Sequence, residues 1–201
     1  MSVYNKLIAY YGLQDWWPGE GFEIAVGAVL TQQTDWSNVE IALNKLKEAN
    51  CLNIECLKKI SFEELESLIK SSGYYRVKAK RLKNLVNLLS INPSPNRKEL
   101  LSVKGLGDET TDSILLYWFE EPYFVIDSYT FRILERLGLY KNGSYLELQR
   151  VFMNNIPNNI QLYKEYRALL VAHAKRHCKK SNPICNSCPL GDRCEYKLKK
   201  V

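Results

Sequence analysis

Four cysteines near the end of the chain are its strongest candidates for chemistry. They follow a C-x6-C-x2-C-x5-C spacing in CKKSNPICNSCPLGDRC and are Cys178, Cys185, Cys188 and Cys194. Four thiolates in so short a loop can surround one metal centre, and both a four-cysteine zinc site and a four-iron cluster are chemically possible. Zinc ribbons usually use two C-x2-C pairs, whereas this loop has one. The two remaining cysteines, Cys51 and Cys56, are expected to be thiols of the core.

A second candidate is a single acid, Asp127, which directly follows the apolar run YFVI and precedes Ser-Tyr-Thr. At the start of a predicted helix, its carboxylate could accept backbone N–H groups as an N-cap. It could also serve as a catalytic carboxylate. Both roles are compatible, because a helix N-terminus keeps an acid ionised.

A third candidate is the stretch VKGLG followed by DETTDSILLY, which predicts a helix, a tight hairpin and a second helix. Gly105 and Gly107 allow positive φ angles and close backbone approach, so N–H groups could bind a phosphate at the second helix. We expect Lys104 to face that phosphate, and Asp108 or Thr110 to cap the second helix. A plain helix–helix turn is the alternative.

The elements that position these residues are helical, because apolar residues recur with a period near 3.6. The predicted helices span 3–11, 22–31, 37–48, 62–70, 76–90, 109–119, 128–138, 145–154 and 160–176. The strand-like run YFVI has no partner strand, so we expect an all-α fold. No apolar run approaches the roughly 20 residues of a membrane helix. The first residues do not form a signal-peptide pattern, so we expect an intracellular protein without membrane contact, cytoplasmic and nucleoid-associated if the source is prokaryotic.

Positive charge is concentrated at one end of the chain. The formal net charge is +6, and residues 161–201 contain ten Lys or Arg against three Asp or Glu. A basic end on a nearly neutral body indicates a polyanionic partner such as nucleic acid. A solvated lysine-rich tail is the alternative interpretation.

Taken together, these features resemble the endonuclease III family of DNA repair glycosylases. The family order is a helix-hairpin-helix, an aspartate 20 residues after the second glycine, and a cysteine loop with 6-2-5 spacing, and this chain has all three. AVLTQQTDWSNV looks like the family segment whose glutamine fills the gap left by a flipped base, here Gln32. SSGYYRVKAKRL looks like the segment that wedges a side chain into the duplex, here Tyr74, and HAKRHC resembles the stretch before the cluster. The likeness covers about residues 20–196.

The resemblance implies a helix-hairpin-helix DNA glycosylase fold with two helical domains. One is a six-helix domain at 21–127 with the hairpin, and the other combines 1–20 with 128–201 and carries an iron–sulfur loop at 178–194. It implies a 4Fe-4S cluster on the four cysteines that holds basic residues such as Lys179 against phosphate. A redox-sensing role for the cluster stays open. The resemblance also allows a monovalent cation at the hairpin, and implies a monomer acting on double-stranded DNA with a flipped base.

One position departs from the bifunctional members of this family. They carry a lysine two residues after the hairpin's second glycine, where this chain has Glu109. A carboxylate cannot form the Schiff base through which that lysine cuts the strand. The resemblance therefore predicts a monofunctional enzyme without lyase activity. In such an enzyme Asp127 stabilises the positive charge that builds on the sugar as the N-glycosidic bond breaks.

The stretch WWPGEGFEIAVGAVLTQQTDW resembles the 3-methyladenine DNA glycosylases of the endonuclease III type. That subfamily has a Trp-Trp-Pro run, an aromatic at the place of Trp36, a lysine at that of Lys104 and a glutamate at that of Glu109. Its aromatics sandwich the extruded purine, which implies a base pocket formed by Trp16, Trp17, Trp36 and Glu109. Alkylated purines are cationic and stack favourably on electron-rich rings. The alternatives are tryptophans in the core and Glu109 as a surface residue.

Two other functions are compatible with these residues. A mismatch glycosylase would remove uracil, thymine or adenine, which are neutral and would need pocket groups that bond the edges of the base. A DNA-binding iron–sulfur protein without catalysis would use the hairpin and the cluster for architecture alone.

Overall fold

The computed structural model describes residues 2–15 and 19–199 of the chain. Those residues form helices and loops without a strand, which confirms the all-α prediction. The α-helices are α1 (Ser2–Tyr11), α2 (Phe22–Leu30), α3 (Trp36–Glu48), α4 (Ile54–Lys59), α5 (Phe62–Leu68), α6 (Tyr75–Ile91), α7 (Arg97–Ser102), α8 (Asp108–Tyr117), α9 (Ser128–Arg136), α10 (Tyr145–Asn155), α11 (Ile160–Arg176) and α12 (Glu195–Leu198). Short 3-10 turns lie at Lys70–Ser72 and Gly191–Arg193. Within this part of the chain, no helix is long and apolar enough to cross a bilayer.

The chain divides into two compact units, Pro18–Glu120 and Met1–Trp17 together with Glu121–Val201. The resemblance implied domain boundaries at 20/21 and 127/128, with six helices between them. The described residues there have seven helices, α2 to α8.

Helix α2 is the centre of the unit Pro18–Glu120. Every residue from Ile24 to Leu30 is buried, as expected of a helix that is apolar on all sides. It packs against α3, α6 and α8. Three loops therefore extend from helices that share one core: the loop after α2, the loop before α6 and the loop before α8.

Helix α11 has the same central position in the other unit, where it packs against α1 and α9. A cluster of aromatic rings lies beside it: Phe124 stacks on Phe152 with ring centroids 4.1 Å apart. Tyr163 contacts Phe124 edge-on, and Tyr166 contacts both phenylalanine rings edge-on. This cluster anchors the apolar run that ends at Asp127.

The apolar run YFVI has no regular secondary structure and belongs to no sheet. Residues 124–126 are buried. The amide of Gln149 donates to the Phe124 carbonyl at 2.8 Å, and the Ile126 N–H donates to the Tyr145 hydroxyl at 3.3 Å. These side-chain bonds replace a strand partner and deliver Asp127 to the start of α9.

Cys51 and Cys56 form a disulfide between the end of α3 and the first turn of α4, with Cα atoms 5.0 Å apart. The expectation that both are core thiols is therefore wrong. Cys51 is buried, but Cys56 is only half-buried and faces it across the turn. The turn carries Asn50 at positive φ and Asn53 as the N-cap of α4, and this bend brings the two sulfurs together.

Candidate functional site

The predicted hairpin lies between α7 and α8. Val103 and Leu106 are buried and joined by a 3.0 Å backbone hydrogen bond, while Lys104, Gly105 and Gly107 are exposed. Gly105 has φ +100°, but Gly107 has φ −97° and ψ −179°, an extended conformation that any residue adopts. The expectation of positive φ thus holds for Gly105 alone, and the hairpin presents Lys104 and both glycines to solvent.

A buried ion pair joins the two helices of the hairpin. Arg97 on α7 donates from Nε and Nη2 to the two carboxylate oxygens of Asp112 on α8, at 2.7 and 3.1 Å. Its Nη2 also donates to Asp108 at 2.6 Å. Asp112 is 0% exposed, and its hydrogen bond raises the pKa of Arg97, so the guanidinium stays charged. This ion pair was not predicted from the sequence, although an acid on the inward face of an amphipathic helix is a signal that could have indicated it.

The predicted side-chain cap of α8 is wrong. The N-cap is Gly107, which has no side chain to contribute. Asp108 is inside the first turn and bonded to Arg97, and the Thr110 hydroxyl accepts from Gln32. Both candidates were already engaged by partners distant in sequence, which local pattern cannot reveal.

Replacing Gly105 with Ala is expected to lower the free energy of unfolding by about 1–3 kcal/mol. A Cβ there would lie 2.5 Å from Cγ of Arg81, in addition to the strain of positive φ. Gly107→Ala is the matched control, because its φ suits alanine and no atom lies within 4 Å of the new Cβ. We expect the control to change the free energy of unfolding by less than about 1 kcal/mol, because alanine restricts the unfolded chain but caps a helix less well than glycine. Chemical denaturation measures both, and equal losses would contradict this account of the hairpin.

Gln32 lies on the hairpin. Its amide Nε2 donates to the Thr110 hydroxyl at 2.8 Å and to the Gly105 carbonyl at 3.2 Å, while its Oε1 accepts from Arg81. The next residue, Gln33, has φ +53°. The structure therefore joins Gln32 to the hairpin through the Nε2 end of its amide and to α6 through the Oε1 end.

Among the described residues of the unit Pro18–Glu120, Tyr74 is the most exposed aromatic side chain at the start of a helix. It is the N-cap of α6 in the left-handed conformation, with φ +45° and ψ +30°, and is 69% exposed. Gly73 before it has φ +65°. Left-handed backbone in a non-glycine residue costs free energy and is concentrated at functional sites. This geometry projects a large ring into solvent, as the predicted wedge requires.

Asp127 is the N-cap of α9. Its Oδ1 accepts from the Thr130 N–H at 2.8 Å and from the Thr130 hydroxyl at 2.9 Å. Its Oδ2 lies 3.6 Å from Nε of Arg167 on α11, and the residue is 6% exposed. The capping role predicted from sequence is confirmed. Arg167, which sequence reasoning missed, holds a positive charge next to the oxygen that the cap leaves unused.

The residues predicted to line a base pocket have different surroundings. Trp16 and Trp17 lie outside the described residues. Trp36 opens α3 and is half-buried, with its ring 3.4 Å from the position a Cβ would take on Gly27 and its Nε1 donating to Glu40 at 2.9 Å. Glu109 is exposed in the first turn of α8.

The four cysteines of the terminal loop line one small cavity together with apolar side chains such as Ile133 and Ile184 and with Arg136, His173 and His177. Burial, with a contribution from the other three cysteines, raises the pKa of the Cys188 thiol. Within the described residues, no three His, Cys, Asp or Glu side chains are arranged to hold a single metal ion. A donor set of four thiols around one cavity suits a thiolate-ligated centre, whose binding would deprotonate them.

Two arginines on α9 hold the start of this loop, and sequence reasoning missed both. Arg132 donates to the Cys178 carbonyl at 2.9 Å. Arg136 donates to the carbonyls of Lys179 and Lys180 at 2.7 and 3.1 Å and to the Cys178 sulfur at 3.3 Å. The exposed side chain of Lys179 therefore extends from an anchored backbone. Their i, i+4 spacing on a helix is the only sequence signal that pairs them.

A family model described as "HhH-GPD superfamily base excision DNA repair protein" matches residues 26–158 of this chain. An inferred DNA repair glycosylase of Methanocaldococcus jannaschii is 41% identical over 208 residues, which cover 96% of this chain and 94% of the relative.

Two solved structures are similar in fold. The 3-methyladenine DNA glycosylase of H. pylori bound to 1,N6-ethenoadenine has a TM-score of 0.78 and 29% identity, covering 87% of this chain and 96% of that one. Endonuclease III in a non-covalent complex with DNA has a TM-score of 0.88 and 25% identity, covering 99% of this chain and 95% of that one. Both similarities extend over nearly the whole of the solved chains.

Proposed function

This chain belongs to the HhH-GPD superfamily of base excision DNA repair proteins, and we propose that it is a monofunctional DNA glycosylase that removes alkylated purines from duplex DNA. The observation that carries this proposal is Glu109, an exposed carboxylate in the first turn of α8, two residues after the second hairpin glycine. A lysine there would form a Schiff base with C1′ and allow strand cleavage. The carboxylate has no such chemistry, so the reaction stops at an abasic site.

Asp127 is the proposed catalytic residue. As the bond between C1′ and the base lengthens, positive charge builds on the sugar, and a nearby carboxylate stabilises it. Thr130 occupies Oδ1, so Oδ2 is the oxygen that faces the reacting sugar in this proposal. Arg167 Nε lies 3.6 Å from Oδ2 in the same buried pair. Water then attacks C1′, the base departs with the bonding electrons of the broken C–N bond, and the proton lost by the water goes to bulk solvent.

Duplex binding is assigned to the hairpin and the anchored basic loop. Backbone N–H groups at Gly105 and Gly107, with the side chains of Lys104 and Lys179, would contact phosphates without reading sequence. Tyr74 would enter the stack at the lesion. Gln32 would fill the gap, exchanging its bonds with Arg81 and Thr110 for bonds to the unpaired base opposite.

The preference for alkylated purines is supported by the similarity to the H. pylori 3-methyladenine DNA glycosylase, whose structure contains bound 1,N6-ethenoadenine. Trp36 and the pair Trp16 and Trp17 are the proposed stacking residues. A cationic purine gains about 0.5–2 kcal/mol from each ring it contacts. Because such a base leaves as a neutral molecule, the enzyme does not need to protonate it.

We further propose a 4Fe-4S cluster held by Cys178, Cys185, Cys188 and Cys194, whose thiolate chemistry would tie the terminal loop together. The monovalent cation at the hairpin, the monomeric state and the cytoplasmic location stay predictions.

A substrate panel tests the proposed reaction. We expect release of 3-methyladenine and 7-methylguanine from duplex DNA, and little release of uracil, thymine or adenine from mismatches. We also expect no strand nicking without heat or alkali, and no covalent adduct after borohydride reduction, because position 109 lacks an amine. A lysine-bearing endonuclease III serves as the positive control for nicking and trapping. Nicking by this protein, or preferential release of a mismatched base, would contradict the proposal.

A DNA-binding protein without catalysis is the second candidate. The observation that favours it is the engagement of Asp127 by both Thr130 and Arg167, which gives the acid a complete structural role. Substitution of Asp127 separates the two functions.

A further inference from the structure

Lys78 on α6 is a buried ammonium with every donor used. The residue is 1% exposed. Its Nζ donates to the Leu30 carbonyl at 2.7 Å, the Thr34 hydroxyl at 2.7 Å and the Ser72 carbonyl at 2.6 Å. A protonated lysine has three N–H donors, so these three oxygens saturate it.

The three acceptors belong to two separate loops. Leu30 and Thr34 bracket the segment after α2 that contains Gln32. Ser72 ends the 3-10 turn that leads into Tyr74. The Thr34 hydroxyl also donates to the Ser72 carbonyl at 2.5 Å. Lys78 and Thr34 thus join the two loops at one point beneath the protein surface.

The next two turns of α6 continue the same connection to the hairpin. Arg81 donates to Oε1 of Gln32, and its side chain packs against the Cα of Gly105. Asn84 donates to the Lys104 carbonyl at 3.3 Å. Positions 78, 81 and 84 recur every three residues and share one face of the helix. One face of α6 therefore contacts all three loops of this unit to which DNA contacts are assigned.

We propose that Lys78 is a positioning residue that holds the Gln32 loop and the Tyr74 loop at a fixed spacing, so that wedge and gap-filler enter the duplex together. This inference rests on the proposed function, in which both side chains act on DNA. Gln33 and Tyr74 occupy left-handed backbone conformations that need support from their surroundings. Deprotonated Lys78 would have only two N–H groups, so the lone pair of its nitrogen would face one of the three acceptor oxygens.

The charge of Lys78 is sensitive to pH. Burial lowers its pKa to about 8, and Arg81 on the same helix acts in the same direction. The atoms that reach it from the α2–α3 loop and from the 3-10 turn are uncharged oxygens. As pH rises above about 8, the ammonium loses a donor and the spacing of the loops loosens.

Unfolding cannot account for such a loss of activity. The pKa of Lys78 is lower in the folded protein than the ordinary value of about 10.4, so the unfolded chain binds more protons between the two values. Its contribution to the free energy of unfolding therefore rises with pH in that window. Activity and this stability contribution should change in opposite directions.

The test compares Lys78→Met with Lys83→Met in the full chain. Lys83 is a matched control on the same helix: its Nζ donates to the carbonyls of Lys58 and Ile60, at the end of α4, and burial lowers its pKa too. We expect Lys78→Met to slow single-turnover base release about 100-fold, the size of effect that a displacement of about 1 Å can produce. Its rate should lack the decline above about pH 8 that wild type and Lys83→Met share. A wild-type rate and pH profile in Lys78→Met would overturn the proposal.

Hydrogen exchange keeps this test separate from the proposed function. In DNA-free protein, Lys78→Met should raise amide exchange in both 31–35 and 72–74, while Lys83→Met leaves both unchanged. If wild type releases no base from any duplex, the proposed function fails. The exchange result still decides whether Lys78 holds the two loops in place. Thr34→Val, which removes the hydroxyl link without removing a charge, covers the case of a Lys78 variant that does not fold. Unchanged exchange in both variants would overturn the inference.

Discussion

Replacing Asp127 with Asn is expected to slow base release about 100- to 10,000-fold, because an amide cannot stabilise the positive charge that develops on the sugar. Affinity for duplex DNA should change only a few-fold, since the phosphate contacts are assigned to other residues. Single-turnover release from alkylated duplexes and binding at one fixed salt concentration measure the two effects.

The control for this substitution concerns stability. Asn caps a helix about as well as Asp, so the Thr130 bonds have a replacement acceptor. Arg167, however, loses a buried charge partner, and melting must be followed in parallel. Asn159→Ala removes a different N-cap in the same unit, costs about 1 kcal/mol and should leave release unaffected. Wild-type release by the Asp127 variant would assign the carboxylate a structural role only.

Replacing Cys188 with Ser is expected to abolish the cluster. Wild-type protein should be brown and carry about four iron atoms per chain, and the variant should be colourless, iron-poor and less stable, because three thiolates no longer close the loop. The affinity for duplex DNA should fall as well, because the cluster no longer holds the basic loop that carries Lys179. Metal analysis, visible absorbance and thermal unfolding measure these outcomes.

Cys51→Ser is the matched control, because Cys51 pairs with Cys56 outside this loop. It should keep its colour and its iron. Colourless wild-type protein with one zinc per chain would instead support the four-cysteine zinc site. Equal loss of iron in both cysteine variants would mean that the cavity between α9 and the terminal loop is not the ligand site.

Local pattern predicted most of the helical framework. Each of the nine predicted segments overlaps an observed helix, with ends that agree within two residues. Periodicity works there because an amphipathic helix shows its buried face within a few turns. Short helices such as α7 and α12 lack the length to show a period. The helix-hairpin-helix motif nevertheless predicted that a helix precedes the glycines, where α7 lies.

The sequence by itself determined the all-α class, the hairpin, the four-cysteine loop and the N-cap at Asp127, because each depends on residues close together in the chain. Only the tertiary structure decided what those residues touch. Arg167 lies beside Asp127, and Lys78 joins two loops from the interior of α6. The physical reason is that an ion pair or a buried ammonium is satisfied by whatever oxygen packing brings near, and that partner leaves no periodic trace in the sequence.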